Sequence, residues 1–507
     1  MPCVIAVDAG TTSVRSVAVD EDGTIVAGSQ RALTQHYPTP GWVEHDAEEI
    51  WSAVRATLEE VGARTREEGR DVAALGLTNQ RETVVAWDRR SGRPLHRAIV
   101  WQDRRTTRRC RELEERGLRP LVRQRTGLVL DPYFSATKMQ WLLEEGGLGP
   151  AVHDRELALA TVDSWLLWRL TGGPGRGVFA TDTTNASRTL LFDIHRREWD
   201  PELCALFSVP SGVLPDVHPS CGHLGAIDPA AIDDASGLAG VPVSGIAGDQ
   251  HAALFGQACF RTGMSKVTYG TGSFVLLNCG PEAPQPVEGL LTTTAWDLGD
   301  RGGDDPVAYA LEGSAFNSGS AIQWLRDGLG LIVDASEIGP LASSVEDSGG
   351  VVVVPAFTGL GSPWWDPGAR GTVLGVTKGS GRAQLARAVV EAMTYQVRDM
   401  VEAMTGGERQ VSQLRADGGA AVMDLLLQLQ ADQLGVPVAR PRSTESTALG
   451  AAFLAGLGAG VWRGLEELSE LWQPDAGFTP SVERSVADAA YAPWRRAVER
   501  SRAWQRV

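Results

Sequence analysis

The first part of the chain alternates between short apolar runs and polar turn residues. Val4–Val7, Ser13–Val19 and Thr24–Ala27 read as three strands separated by tight turns, a pattern that predicts a β-meander. Apolar residues then recur at helical spacing over Ala47–Arg64, and Asp46 can cap the first turn of this helix. The chain is therefore predicted to open with a small antiparallel sheet followed by an amphipathic helix.

Strand-like and helix-like segments continue to alternate beyond residue 72. Ala73–Leu77, Thr83–Trp87 and Ile99–Trp101 have the apolar character of strands, and Thr106–Glu115 has helical spacing. This alternation predicts an α/β fold. The chain has 507 residues, and single cores stop growing near roughly 250 to 300 residues, so two large domains are expected.

One sequence pattern occurs twice, half a chain apart. Ile5–Arg15 and Ser265–Val275 each read as a strand, a Gly-Thr-x-Ser turn and a second strand. A single turn of this kind is a weak signal, because glycine and serine are common in turns. Two of them indicate a duplicated domain with a phosphate-binding hairpin in each copy. We predict domains of residues 1–248 and 249–507, with the boundary near Gly248.

Composition and charge argue against several classes of function. The net charge of −16 opposes binding to nucleic acid and to anionic lipid, and no basic run with interleaved aromatic residues offsets it. No apolar run approaches the roughly 18 residues of a membrane helix, and the N-terminus lacks the features of a secretory signal. The six cysteines form no C-x-x-C pair, which argues against a zinc site and a disulfide framework. We therefore expect a cytoplasmic protein with no nucleic-acid partner and no membrane insertion.

Glycine-containing turns carry the candidate phosphate chemistry. No G-x-x-x-x-G-K-[ST] sequence is present, so nucleotide binding would not use a Walker A loop. Asp8 stands directly before the first Gly-Thr turn and could hold a magnesium ion through water, but Asp8 and Thr11 could equally cap a tight turn. Leu414–Ala420 joins a strand to the helix-like segment Val422–Leu434. Its glycines permit close approach of a phosphate or a flat ring, and a plain strand-to-helix connection is the alternative.

Five separated stretches point to a known family. They are Pro40–Asp46, Thr78–Thr83, Asp131–Ser135, Gly248–Gln250 and Phe357–Gly361. These stretches resemble the glycerol kinases, within the sugar kinases that share the duplicated actin-like, hexokinase-like ATPase fold, and the resemblance runs from Asp8 to Trp494. It implies an α/β protein of two actin-like (ribonuclease H-like) domains related by duplication, with the active site in the interdomain cleft. It also implies phosphorylation of glycerol to sn-glycerol 3-phosphate with ATP and Mg²⁺, and a homo-oligomer (dimer or tetramer) is expected.

The resemblance assigns site residues position by position. Asp249 would be the general base that takes the proton of the attacking hydroxyl, and Asp8 and Asp249 would lie next to the metal. Glycerol would be bound by polar groups on its hydroxyls and by aromatic faces on its carbons, supplied by Arg81, Glu82, Trp101, Tyr133, Asp249, Gln250 and Phe274. The nucleotide would be bound by Thr11, Thr12, Ser13, Arg15, Gly270, Thr271, Gly319, Gln323, Gly419 and Met423.

The residues taken alone leave other interpretations open. Arg81 and Glu82 could form a surface ion pair, and Trp101 and Phe274 could belong to the core. We interpret His251 as a supporting or core residue rather than an acid–base group. Two rival functions remain: a kinase of the same fold that acts on another polyol or sugar, and a catalytically silent nucleotide sensor or actin-like filament protein.

Three positions depart from the family pattern. Ala9 stands where glutamine is usual and Val14 where serine is frequent, so a polar contact near the phosphates is expected to be missing. Met423 stands where the family places an asparagine beside the adenine. Because methionine offers packing but no donor, weaker discrimination between bases is expected.

Overall fold

The computed structural model describes residues 2–154, 156–406 and 410–505. Its strands are β1 (Pro2–Ala9), β2 (Ser13–Asp20), β3 (Ile25–Ala32), β4 (Glu44–His45), β5 (Asp71–Asn79), β6 (Val84–Asp88), β7 (Ala98–Ile99), β8 (Leu157–Thr161), β9 (Ala180–Asp182), β10 (Phe192–Asp193), β11 (Glu198–Trp199), β12 (Asp216–His218), β13 (Val243–Gly248), β14 (Met264–Tyr269), β15 (Ser273–Gly280), β16 (Leu291–Asp297), β17 (Val307–Ala315), β18 (Val352–Val354), β19 (Thr372–Leu374), β20 (Gln413–Asp417), β21 (Val438–Pro441) and β22 (Pro474–Phe478). Its α-helices are α1 (Ala47–Glu67), α2 (Thr107–Glu115), α3 (Arg119–Thr126), α4 (Ser135–Glu144), α5 (Val162–Leu170), α6 (Thr183–Ala186), α7 (Pro201–Leu206), α8 (Asp249–Gly256), α9 (Gly319–Gln323), α10 (Ile338–Ser343), α11 (Arg382–Thr405), α12 (Asp424–Leu434), α13 (Ser446–Ala459), α14 (Leu465–Leu471) and α15 (Arg484–Ser501). Within the described ranges, no helix is both long enough and apolar enough to cross a bilayer.

Two large sheets repeat the same arrangement of strands. The first has the order β13-β5-β1-β2-β3, and the second has the order β16-β17-β15-β14-β20-β21-β22. In each sheet an antiparallel hairpin, β1-β2 or β14-β15, continues into a third antiparallel strand, β3 or β17. On its other side each hairpin is joined by two parallel strands, β5 and β13 or β20 and β21. The shared order and direction confirm the predicted duplicated α/β fold.

The opening of the chain folds as its hydrophobic pattern predicts. β1, β2 and β3 form the expected meander, and α1 follows it. The carboxylate of Asp46 accepts hydrogen bonds from the backbone N–H groups of Glu48 and Glu49, and so caps the helix. Ile50 and Leu58 lie on the buried face of α1, which packs on β2 and β3.

Two predicted elements have different ends in the structure. β7 ends at Ile99 rather than at Trp101, because the Trp101 backbone N–H donates to the Thr83 hydroxyl (3.2 Å) instead of to a neighbouring strand. The helix predicted from Val422 begins at Asp424, because Gly419–Val422 forms a separate 3₁₀ turn. In both places a local turn replaces regular structure beside the predicted site.

A helix from late in the chain joins the two halves. α13 packs against α8 and against β1, β5 and β13 of the first sheet, while α8 contacts strands of both sheets. Glycines allow α13 to approach both neighbours closely. A Cβ built on Gly76 of β5 would lie only 2.1 Å from the Ala451 carbonyl oxygen of α13, and one built on Gly450 of α13 would lie 1.8 Å from the Ala252 carbonyl oxygen of α8. The domain boundary near Gly248, at the junction of β13 and α8, stays a prediction.

Candidate active site

A cleft between the two halves encloses a cavity of about 640 Å³. Trp101 and Tyr133 line the cavity from the first half, and Thr271 and Phe316 line it from the second half. The rings of Trp101 and Tyr133 have centroids 5.6 Å apart, and those of Tyr133 and Phe316 are 6.4 Å apart. The cleft therefore has an aromatic wall that runs from one half to the other, as suits the carbon edge of a small ligand.

Arg81 and Glu82 lie one residue beyond the end of β5 and are buried beside this wall. Arg81 Nη2 donates to the Tyr133 hydroxyl at 3.4 Å. Glu82 has a φ of +61°, a left-handed conformation that non-glycine residues seldom adopt, and its carbonyl oxygen accepts from the Ser135 hydroxyl (3.1 Å). Strain of this kind clusters at functional sites. Because Arg81 and Glu82 are both buried, they do not form the surface ion pair that was the alternative interpretation of their sequence.

Arg81 and Glu82 belong to a buried network of four charged side chains. Arg81 Nη1 and Nη2 donate to the two carboxylate oxygens of Glu312 on β17, at 2.6 and 3.1 Å. Arg188 donates from Nη2 to Glu312 (2.9 Å) and from Nε to Glu82 (2.7 Å). Although burial alone would raise it, these arginines hold the pKa of Glu312 well below its usual range.

Asp249 lies at the first position of α8, next to Arg81. Its Oδ1 accepts from the Gln250 backbone N–H (2.7 Å) and lies 3.1 Å from Arg81 Nε. The side chain is 29% exposed, while that of Arg81 is only 2% exposed. Gly248 makes this approach possible, since a Cβ there would lie 2.6 Å from Arg81 Cγ. Burial raises the pKa of Asp249, and the charge of Arg81 opposes that shift.

Gln250 is held by a lysine that enters the site from the second sheet. The buried Lys266 of β14 donates from Nζ to Gln250 Oε1 and to the Thr268 hydroxyl, the latter at 2.9 Å. The Thr268 hydroxyl in turn donates to Asp417 (2.5 Å). Because its oxygen accepts from Lys266, the Gln250 amide has its NH₂ group free to donate to a ligand.

The first Gly-Thr turn is connected to the aromatic wall. Its backbone closes through a hydrogen bond from the Gly10 N–H to the Ser13 carbonyl (3.0 Å). The Trp101 indole N–H donates to the Thr11 hydroxyl at 2.9 Å, so one predicted glycerol residue orients one predicted phosphate residue. Thr12 is exposed at the tip, and Arg15 forms an ion pair with Glu445 at the start of α13.

The second Gly-Thr turn is fixed by the backbone at the start of α9. The N–H of Gly319 donates to the Gly270 carbonyl (3.0 Å), and the N–H of Ser320 donates to the Thr271 carbonyl (3.1 Å). A Cβ on Gly319 would lie 2.4 Å from the Gly270 oxygen. Gln323, at the end of α9, is exposed. The turn and the helix start therefore form one tightly packed backbone unit.

Gly419 and Met423 form the other predicted side of the nucleotide site. No atom lies within 4 Å of a Cβ built on Gly419, so the space above this glycine is open to a ligand. Met423 immediately precedes α12, and its Cγ would lie 3.0 Å from a Cβ on Gly339 of α10. The methionine side chain thus packs towards α10.

Asp8 and Asp249 are the predicted metal neighbours. Burial raises the pKa of Asp8 to about 7, and the Asp249 carboxylate adds to the shift. A divalent cation would relieve this repulsion between two carboxylates. Among the described residues, no group of three or more His, Cys, Asp or Glu side chains could hold a metal. Mg²⁺ commonly binds one or two carboxylates together with phosphates and water, so a pair fits this ion.

Similar proteins identify the family. Residues 3–256 match the N-terminal domain of the FGGY family of carbohydrate kinases, and residues 265–459 match its C-terminal domain. The chain belongs to this family. Proteins named glycerol kinase from Paracidovorax citrulli and Trichlorobacter lovleyi are 50% and 52% identical to it, each over 99% of both chains. The crystal structure of Plasmodium falciparum glycerol kinase with ADP has a TM-score of 0.91 and 33% identity, and it covers 99% of this chain and 98% of its own. The resemblance and the two-domain fold expected from the sequence are confirmed.

Within this FGGY kinase, the predicted residues differ in how directly they reach the cavity. Trp101, Tyr133 and Thr271 line it. The described residues that line it do not include Arg81, Glu82, Asp249, Gln250 or Phe274, and Phe274 lies half-buried on β15, opposite Thr268 and Ser314. The assigned roles of all the site residues stay predictions.

Ala9 and Val14 pair across β1 and β2 and are fully buried in the first core. These two departures from the family pattern therefore add apolar packing behind the first turn. His251 is also buried, with Nε2 3.0 Å from the Thr293 hydroxyl, and burial lowers the pKa of its ring well below the usual value. A neutral, buried ring agrees with its interpretation as a supporting residue.

Sequence reasoning missed four residues that shape the site: Glu312, Arg188, Lys266 and Phe316. Lys266 lies in the repeated strand–turn–strand pattern but was not assigned a role, and the other three lie outside the motifs. The available signal was a single charge within an otherwise apolar or small-residue strand, as for Glu312 in Val307–Ala315. A charge in such a position is almost never buried without a partner, so Glu312 and Lys266 were candidates for paired internal groups, whereas Arg188 and Phe316 gave no such signal.

Proposed function

We propose that the protein catalyses phosphorylation of glycerol by ATP to give sn-glycerol 3-phosphate. The observation that carries this proposal is Asp249, a partly exposed carboxylate held through one oxygen next to Arg81, which donates to the Tyr133 hydroxyl in the wall of the cavity. The 50% and 52% identity with proteins named glycerol kinase supports glycerol as the acceptor.

The acceptor side provides groups for each part of a triol. Tyr133, Arg81 and the free NH₂ of Gln250 can hold hydroxyls, and the aromatic wall can pack on the carbons. The hydrogen bond from the Gln250 N–H and the ion pair with Arg81 both involve Asp249 Oδ1, which leaves Oδ2 to accept the proton of the attacking hydroxyl.

The donor side presents backbone groups and small side chains. The turns at Gly10–Ser13 and Gly270–Ser273 can place N–H and hydroxyl groups against phosphate oxygens, and the open face of Gly419 can approach the nucleoside. Asp8, through water, and Asp249 would lie next to Mg²⁺, which would neutralise phosphate charge when bound. The residues of the chain position the acceptor in line with the phosphoryl group and receive its proton.

A coupled assay of ADP release with glycerol as the varied substrate tests this function. We expect glycerol to give the highest kcat/KM in a panel with erythritol, ribitol, xylulose and gluconate, and we expect the product to be the 3-phosphate. The Asp249→Asn protein, purified in the same way, controls for contaminating kinases. A higher kcat/KM with another polyol, or ATP binding with no turnover of any of them, would refute the proposal.

The homo-oligomer (dimer or tetramer) and the cytoplasmic location stay predictions. Light scattering coupled to gel filtration measures the first. Fractionation of the native cells measures the second.

A further inference from the structure

Glu312 is a fully buried carboxylate that comes from the opposite half of the molecule to its partners. It lies on β17 of the second sheet, whereas Arg81 follows β5 of the first sheet and Arg188 follows α6. Its two oxygens receive three N–H groups from these arginines at 2.6, 3.1 and 2.9 Å, and the Ser314 hydroxyl lies at 3.2 Å. The network thus crosses between the two halves beside the cleft.

The geometry ties this carboxylate to both acidic residues predicted to bind glycerol, Glu82 and Asp249. Arg81 uses both Nη groups on Glu312 and keeps Nε for Asp249, at 3.1 Å. Arg188 bridges Glu312 and Glu82, whose backbone has the unusual φ of +61°. Each of the two residues is therefore held through an arginine that Glu312 binds.

We propose that Glu312 and Arg188 are positioning residues for the acceptor side of the site. Glu312 fixes the plane of the Arg81 guanidinium, so that only Nε faces Asp249 and the base is not drawn into a two-pronged ion pair. Arg188 holds Glu82 in its left-handed conformation against the acceptor. Neither acts on the nucleotide side, since all of their contacts given above lie on the acceptor side.

Replacement of Glu312 should reduce catalysis more than replacement of one member of a similar buried ion pair outside the cleft. Glu312→Gln keeps the size of the side chain but removes its charge and one of its two acceptor oxygens, so one Nη group of Arg81 would be released to turn, with Nε, towards Asp249. This inference rests on the proposed function, because the test uses glycerol as the acceptor. Small misplacements of reacting groups cost up to about 100-fold in rate.

The experiment compares Glu312→Gln with Glu391→Gln. Glu391 forms a mostly buried pair with Arg387 on α11 (2.8 Å), so the control removes the same charge from the same kind of pair outside the cleft. We expect Glu312→Gln to lower kcat/KM for glycerol on the order of 100-fold while KM for ATP changes by less than about threefold. Glu391→Gln should change the melting temperature only.

Three results would overturn the proposal: unchanged kinetics with a lowered melting temperature, equal increases in KM for glycerol and for ATP, or the same kinetic loss in the control. If Glu312→Gln does not fold, Arg188→Lys replaces it, since it keeps the charge but loses the planar guanidinium whose Nε and Nη2 bind Glu82 and Glu312 separately. The same kinetic outcomes then decide. Failure of the proposed function is separate, because the wild-type protein would then fail to phosphorylate glycerol.

Discussion

The two sides of the cleft are built from different parts of the chain. On the acceptor side, buried side chains meet one another: Arg81 contacts Asp249 at 3.1 Å and Glu312 at 2.6 Å. On the donor side, backbone meets backbone, as where Gly319 donates to the Gly270 carbonyl at 3.0 Å. One side depends on charges that are paired, and the other depends on the absence of side chains.

This difference determines which substitutions do harm. A paired buried charge is sensitive to loss of its partner, because the remaining charge is left without compensation in a place that water does not reach. A turn packed against a helix start is sensitive to added atoms. The contacting atoms on both sides belong to the backbone, and they cannot rotate out of the way as a side chain can. Removal of side chains should therefore test the acceptor side, and addition of one methyl group should test the donor side.

The largest effect is expected on the acceptor side, from Asp249→Asn. The amide keeps an oxygen for the Gln250 N–H and for Arg81 but cannot accept the proton, so kcat should fall by roughly 100-fold or more. Steady-state assays with glycerol measure this, and calorimetry should show that glycerol still binds. Near-normal turnover would remove Asp249 from the role of base.

Gly319→Ala should have the next largest effect, on the donor side. Its Cβ would lie 2.4 Å from the Gly270 oxygen, so the turn must shift, and we expect kcat/KM for ATP to fall by about 30-fold, or roughly 2 kcal/mol. KM for glycerol should change little. Gly477→Ala is the control, because no atom lies within 4 Å of a Cβ at that position. A Gly319→Ala protein with normal ATP kinetics would show that the helix start does not set the turn.

The fold was predictable because its signals are local. Hydrophobic spacing and turn residues predict the meander, the capped helix α1 and the repeated Gly-Thr turns. The packing of α13 on the first sheet was not predictable, since it depends on glycines such as Gly76 and Gly245 that contact a helix distant in sequence. Such contacts leave no periodic pattern.

The site was predictable to the extent that its residues lie in motifs. Arg81, Glu82 and Asp249 follow strand ends in recognisable stretches, and the structure brings them together with Tyr133. Glu312 is a single charge in a strand far away in the sequence, and its partners are set by the tertiary fold alone. A buried ion network therefore had to be seen in three dimensions.

Trp101 connects the two sides and should give an intermediate effect. It lines the cavity with its ring and donates from its indole N–H to Thr11 at 2.9 Å. Trp101→Ala should raise KM for glycerol about 10-fold and relax selection against longer polyols, since it removes an apolar wall. Trp101→Phe keeps most of the wall but loses the hydrogen bond, so it should alter KM for ATP more than KM for glycerol.

Phe274→Ala is the comparison for Trp101→Ala. Phe274 was predicted to pack on the carbons of glycerol as Trp101 does, but the described residues that line the cavity do not include Phe274. We therefore expect a smaller increase in KM for glycerol than Trp101→Ala gives. Unchanged polyol selectivity in both alanine variants would place the acceptor pocket elsewhere.

The smallest effect is expected at Met423, where the donor side depends on a side chain. The methionine packs towards Gly339 of α10 and offers no hydrogen-bond donor to a purine edge. The protein should therefore accept GTP more readily than relatives with asparagine at this position. Met423→Asn should sharpen the preference for ATP by on the order of 1 kcal/mol, the net contribution of one hydrogen bond. The ratio of kcat/KM for ATP to that for GTP, measured before and after the substitution, tests this. An unchanged ratio would mean that backbone and packing near Gly419 hold the base, so that the donor side would not depend on this side chain at all.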